Sequence, residues 1–460
     1  MEMLGKLYNR IKKYQAPSER FLFPLILLLW PLTGIAQGVD LADSTYALGN
    51  YRFLAGSGST WDVATFLANR LGAFLLKLPG GGTLRGMNLW TSLLVSALAL
   101  MVYFVMQRFM PGWMLFVGEM LAVSLCWCPG VILYNYLTYF LLTAACLMLF
   151  LGISSVPEKN SYFVFAGILL GLNLFVRFSN LTQAALILAV WFHTFITLQK
   201  STKLIPRTLS CMGGYLIGAG IGMAAVTAAY GPTAFADMVR GLFSMTAGAG
   251  DYTMGAMLSS TLSAYLHSLR WFVFMAAGLM AGYIAFSLPA LRRFSGLLRA
   301  GYIAGILVLI RFFYGQGMFT VNYRDYWCMF EWGMQFVLLS VIVLLLSVTG
   351  ALRATPEERF IAMMGLILIL ILPLGSNNYT FPLLNNLFLI APISLWMLRK
   401  SLLQVAGMRR GRAGKEGARI VSGRLFAVSA MAFAILCMAL LQGALFHVSY
   451  AFRDGTDGTR

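Results

Sequence analysis

Two carboxylates and an arginine set the first question. Only 16 of 460 residues are Asp or Glu, yet Asp40 and Asp43 fall together in "GVDLADSTYALGNYRF" (38–53), directly after the apolar run "FLFPLILLLWPLTGIAQ". A carboxylate at a membrane surface needs water, a partner or a task. If the stretch is helical, residues three apart share a face, and Tyr46 and Asn50 continue it. Such a stripe can take a proton from a hydroxyl. The plain alternative is a hydrated loop start in which Asp43 caps the helix that follows. Arg177 closes an apolar span in "GLNLFVRFSNLTQ". Its planar fork matches phosphate oxygens, or it simply snorkels to the water boundary. "VNYRDYW" (321–327) sets Arg324 beside Asp325 among three aromatics. It reads either as a loop facing sugar or phosphate, or as an interfacial aromatic belt with a local ion pair. In "GSNNY" (375–379), Asn378 offers amide hydrogen bonds to a polar ligand; a turn is the favoured reading of that stretch.

These residues need a frame, and the composition says which. The chain is 59% hydrophobic and 11% charged, with a mean hydropathy of +0.77. A soluble domain carries about 25% charged residues, so lipid has to be the main solvent here. Apolar stretches at 21–38, 89–107, 113–128, 132–153, 162–177, 181–198, 208–230, 266–288, 299–313, 332–350, 359–374, 382–398 and 425–447 predict an all-α transmembrane bundle of about 13 spans. Several are shorter than 18 residues, which implies broken or re-entrant helices. The whole chain, 1–460, reads as one integral membrane domain without an internal repeat. The net charge of +18 would suggest nucleic acid in a soluble protein. Here the positions of the charges explain it, and no nucleic-acid partner is expected. With Lys6, Arg10, Lys12 and Lys13 inside, the turns holding "QKSTKLIPR", "LRRFSGLLR", "LRATPEER" and the basic loop 399–424 all fall on the cytoplasmic side. The carboxyl end then lies outside, and the expected location is the plasma membrane.

This topology puts 38–88 in a long first outer loop. Within it, "WDVATFLANRLGAFLLKL" (61–78) places Val63, Phe66, Leu67, Leu71, Phe74 and Leu75 at helical spacing, with Asp62, Asn69 and Arg70 mostly off that face. The pattern predicts an amphipathic helix lying in the interface. Arg270, near the outer end of its span, is expected to face the interior or a cavity. Six cysteines and three scattered histidines suggest neither a disulfide framework nor a zinc site. No cofactor is indicated, although a divalent metal stays open. P-loop, GxSxG, HExxH and dinucleotide fingerprints are missing, so the candidate chemistry gathers on the outer face.

The layout resembles the GT-C membrane glycosyltransferases, which include protein O-mannosyltransferases and bacterial lipid-A aminoarabinose transferases. "GVDLADSTY" looks like the acidic motif that opens their first outer loop, and "GILLGLNLFVRFSN" is similar to their element in which a basic residue ends a span on the outer side. Ser44 stands where many relatives have Glu, so a second carboxylate must come from Asp40 or elsewhere. The resemblance implies an inverting transfer of a sugar from a polyprenyl-phosphate donor to an outer-face glycan, lipid or protein acceptor in the cell envelope. It implies Asp43 as general base, with Asp40 second, and Arg177 on the phosphate, with Arg324 second. A transporter or flippase of lipid-linked sugars is the main alternative. That class predicts inverted repeats and charged or broken helices near mid-membrane. A polysaccharide polymerase or ligase is a third reading.

Overall fold

Backbone N–H and C=O groups cannot stay unpaired in lipid, and a helix pairs them all within one segment. The computed structural model follows that rule. It describes residues 14–36, 38, 41–54, 60–127, 130–247, 253–319, 331–376, 378–410 and 415–447, and no strand occurs among them. Among the described residues eight helices are long and apolar enough to cross a membrane. The protein is therefore a multi-pass helical membrane protein.

The first segment runs from a π-helical turn (Ser18–Leu22) through α1 (Phe23–Leu29) into a 3₁₀ turn (Trp30–Gly34). Three short helices follow: α2 (Leu41–Arg52), α3 (Thr60–Ala64) and α4 (Phe66–Leu75). Next come α5 (Leu84–Met106), α6 (Gly112–Leu125), α7 (Leu133–Ser154) and α8 (Asn160–Asn173). A 3₁₀ stretch (Phe178–Leu186) passes into α9 (Ile187–Ile196). Then follow α10 (Lys200–Tyr230), α11 (Ala234–Ala247), α12 (Met254–Ala285) and α13 (Ser295–Gly315). The chain continues through α14 (Glu331–Val348), α15 (Pro356–Ile371), the short α16 (Phe381–Leu384), α17 (Ile390–Arg410) and α18 (Lys415–Leu445).

The main core is built by α5, α6, α7, α14 and α15 with the residues leading into α17. Leu98, Leu115, Leu142, Phe336, Phe360 and Phe388 are all buried in it. A second cluster lies at one end, where α2 and α4 sit on the start of α7. Ala47, Tyr51, Ala68, Leu133 and Val176 meet there. The Tyr51 hydroxyl donates to the Val131 carbonyl at 2.7 Å and accepts from the Leu133 N–H at 3.1 Å. Leu67 N–H donates to the Phe175 carbonyl at 2.9 Å. These bonds tie the first loop to the start of α7 and to the residues just after α8.

The closest helix crossing joins α8 to α10. Gly167 and Gly171 face Gly214 and Gly218, and a Cβ at any of the four would lie 2.1–2.3 Å from a backbone carbonyl oxygen of the other helix. Only glycine permits that approach, as in small-xxx-small helix pairs. An ion pair between a buried arginine and a half-buried glutamate locks one end of the crossing. Arg207, on α10 and 2% exposed, meets both carboxylate oxygens of Glu158, with Nε to Oε1 at 2.7 Å and Nη2 to Oε2 at 3.0 Å. Arg207 also donates to Thr194 Oγ1 at 2.8 Å and Gln199 Oε1 at 3.1 Å, and Lys203 lies 3.2 Å from Glu158.

Two expectations need correction. The segment 61–78 is not one continuous helix. It breaks at Thr65 (φ −121°, ψ 31°) and is packed into the protein. Asp62 and Asn69 are buried, with Asn69 Nδ2 donating to the Asp62 carbonyl at 3.2 Å, while Phe74 is 57% exposed. Val63 alone of the six apolar residues lies before the break; of the other five, all on α4, Phe66 and Leu75 are buried in the protein. The basic loop 399–424 is also largely helical, since α17 continues to Arg410 and α18 begins at Lys415.

Candidate functional site

Arg177 owes its position to a helix that stops short. α8 ends at Asn173, and Arg177 is extended (φ −160°, ψ 128°) before the 3₁₀ stretch begins. Buried amides hold this corner. Asn173 Nδ2 donates to Gln183 Oε1 at 2.8 Å, and Asn180 Nδ2 donates to Thr138 Oγ1 at 2.7 Å and to the Asn173 carbonyl at 2.9 Å. Each buried polar group thus finds a partner, which fixes the turn. The Arg177 guanidinium lies 5.4 Å from the Tyr134 ring centroid. Beside it is a cavity of ≈ 20 Å³ lined by Asn135, Thr138, Ser179, Thr182 and Gln183, among others. That space suits one water rather than a sugar ring.

Three further segments meet this corner. The loop after α15 rests on Ser179, because Gly375 (φ +77°) brings its α-carbon so close that a Cβ would lie 2.6 Å from Ser179 Cβ. "GSNNY" turns there: Asn378 N–H donates to Ser376 Oγ at 3.1 Å, and the Asn378 side chain is exposed. Trp127 N–H donates to Asn385 Oδ1 at 2.9 Å, and the Trp127 ring packs on Phe381 and Phe446. α2 reaches the same end through the cluster that contains Val176. On α2, Ser44, Ala47 and Tyr51 are buried, whereas Asp43 and Tyr46 are exposed. The helix therefore carries an exposed Asp43–Tyr46 face next to a buried Ser44–Ala47–Tyr51 stripe. Neither Asp43 nor Tyr46 lines the Arg177 cavity. Asp40, Arg324 and Asp325 lie outside the described residues.

Two acidic groups escaped the reading of the sequence. Glu331 opens α14 and is 1% exposed. His267 Nε2 lies 2.8 Å from its Oε1, and Ser268 Oγ donates to its Oε2 at 3.1 Å. The dyad shares an end of the bundle with Arg177. Tyr265 donates to the Ile369 carbonyl at 2.9 Å, two residues before Ile371 in the cavity wall. Arg270 corrects its expectation: it is exposed, with its guanidinium 4.5 Å from the Trp271 ring. The second group is Glu119, midway along α6. It is fully buried, and neither carboxyl oxygen has a hydrogen-bond partner among the described residues. An acid inside an apolar span was the available signal, since such residues are rare and functional by default. Among the described residues no group of three or more His, Cys, Asp or Glu is arranged to hold a metal ion.

Compared with known proteins, the chain matches no family model, no curated protein and no solved structure.

Proposed function

We propose that the protein is a GT-C-like glycosyltransferase of the plasma membrane. In this reading the bundle makes about thirteen crossings, with the amino end cytoplasmic and the carboxyl end outside. It transfers a sugar from a polyprenyl-phosphate donor to an outer-face acceptor. The observation that carries the reading is that α2, whose exposed face bears Asp43 and Tyr46, packs through Ala47 and Tyr51 into the cluster of Val176, the residue before Arg177. Asp43 takes the proton of the acceptor hydroxyl as the oxygen attacks the anomeric carbon. The bond from that carbon to the donor phosphate breaks, and Arg177 stabilises the departing lipid phosphate. The donor lies across the exposed side of this end, because the cavity beside Arg177 is too small for it. Inversion at the anomeric carbon follows from the resemblance.

Asp43→Asn keeps size and removes the base. Turnover should fall by about 10²–10⁴-fold while donor binding persists. Arg177→Ala should weaken donor binding as well as turnover, since the phosphate is present in both ground and transition states. Donor binding and product formation by lipid-reconstituted protein measure both. Full turnover by Asp43→Asn would remove Asp43 from this role.

A second reading, a transporter or flippase of lipid-linked sugars, is favoured by one observation: the partnerless Glu119 inside α6. Charge-bearing groups at mid-membrane mark translocation paths. Movement of unaltered lipid-linked sugar across vesicles, abolished by Glu119→Gln, would put this reading in place of the first.

A further inference from the structure

α12 and α13 leave an apolar groove open along their membrane-embedded length. Its volume is ≈ 670 Å³, within the roughly 300–1,000 Å³ of ligand sites. Gly278 and Gly282 of α12 and Gly301 and Gly305 of α13 line it, and Met431 of α18 reaches it from the side. Aromatic rings close one end: Phe286, Phe294 and Tyr302 all line the groove. Three arginines lie on these rings or on aromatic rings next to them. Arg293 lies 4.8 Å from the Phe294 centroid and Arg299 lies 5.3 Å from that of Phe426, which itself packs on Phe286 and Tyr302. Arg424 lies 4.2 Å from the Tyr283 centroid and donates from Nε to Ser287 Oγ at 2.8 Å. Arg299 donates to Ser422 Oγ at 2.9 Å. Among the described residues none of the three pairs with a carboxylate.

We propose that this groove holds an anionic phospholipid, with its chains along the glycine-lined floor and its headgroup phosphate on Arg293, Arg299 and Arg424. The floor lies between two candidate membrane spans, where acyl chains are the surrounding solvent. A soluble anion gains nothing from such a floor. A zwitterionic lipid brings no net charge to the three arginines, whereas an anionic headgroup gains about 1 kcal/mol for each nearby Lys or Arg. This site is separate from Arg177 and does not depend on the transfer reading.

The test is native mass spectrometry of the full chain, reconstituted in equal parts phosphatidylglycerol and phosphatidylcholine and then released. The unmodified protein should retain phosphatidylglycerol preferentially. Replacing the three arginines by Gln should lower that preference by about fivefold for each one removed. Gly301→Leu with Gly305→Leu should fill the floor and abolish retention of both lipids. Inorganic phosphate added at the same concentration as the lipid should displace nothing. Equal retention of the two lipids by the unmodified protein would overturn the proposal whatever the variants do. Retained phosphatidylglycerol in a folded, groove-filled variant would overturn it as well.

Discussion

α8 with α10 and α12 with α13 carry the same small-residue spacing and end in opposite states. All four helices carry glycines four apart: Gly167 and Gly171, Gly214 and Gly218, Gly278 and Gly282, Gly301 and Gly305. In the first pair, every glycine looks at a backbone carbonyl of its partner, and the helices touch along their backbones. In the second, Gly301 and Gly305 have nothing within 4 Å of a Cβ position, and the Tyr302 ring occupies the space beside Gly282. The spacing permits closure without commanding it. What decides is whether the residues between the glycines keep out of the seam. On α8 and α10 they do; on α12 and α13 an aromatic ring enters it and holds the seam apart.

The largest way to break the contrast is to unlock the closed pair at its charged end. Glu158→Gln leaves the buried Arg207 with only neutral neighbours, Thr194, Gln199, His193 and the new amide. Glu158 is only half-buried, so the cost falls below the roughly 3–5 kcal/mol of a fully buried pair, and thermal unfolding in detergent should begin below that of the unmodified protein. The same pair should be visible in pH. Burial pushes the Glu158 carboxyl up, but the hydrogen bonds and charges of Arg207 and Lys203 outweigh it, so its pKa lies below the ordinary value. The pair's stabilisation is then fully present above about pH 4.3 and is lost as the pH falls through the lowered folded value. Unfolding midpoints from pH 7 to 3 should show that loss, and Glu158→Gln should lack it. Next in size is Gly218→Val, which pushes a side chain into the Ile168 carbonyl. Overpacking of this kind costs about 1–3 kcal/mol or more. Gly301→Val adds the same side chain on the open pair and should stay within about ±0.5 kcal/mol. Equal destabilisation by these two valines would erase the distinction between the pairs.

Much of the bundle was legible. Hydropathy placed the apolar spans in the order in which the helices occur, and it flagged the short ones: α6 and α8 have 14 residues each. The break at Thr65 within 61–78 was not legible, because nothing in the hydrophobic spacing marks it, whereas the spacing from Phe66 to Leu75 falls on one continuous helix. At the candidate site, the corner at Arg177 and the turn at 375–379 were readable from span ends and turn residues. The His267–Glu331 contact was not, since 64 positions separate its members and periodicity reports only on neighbours. Glu119 was readable and passed over, as were the glycine spacings on α8 and α10. A single acid or a pair of glycines acquires weight only when the facing helix is known.

The backbone contact between α8 and α10 has a mechanical consequence. Two helices pressed together along their length bend far less readily than either alone, so they act as one stiff strut. The strut is clamped by Glu158 and Arg207 at its foot, and at its head α8 gives way to the corner that bears Arg177. A push on the clamp therefore arrives at Arg177 as a displacement instead of being absorbed on the way.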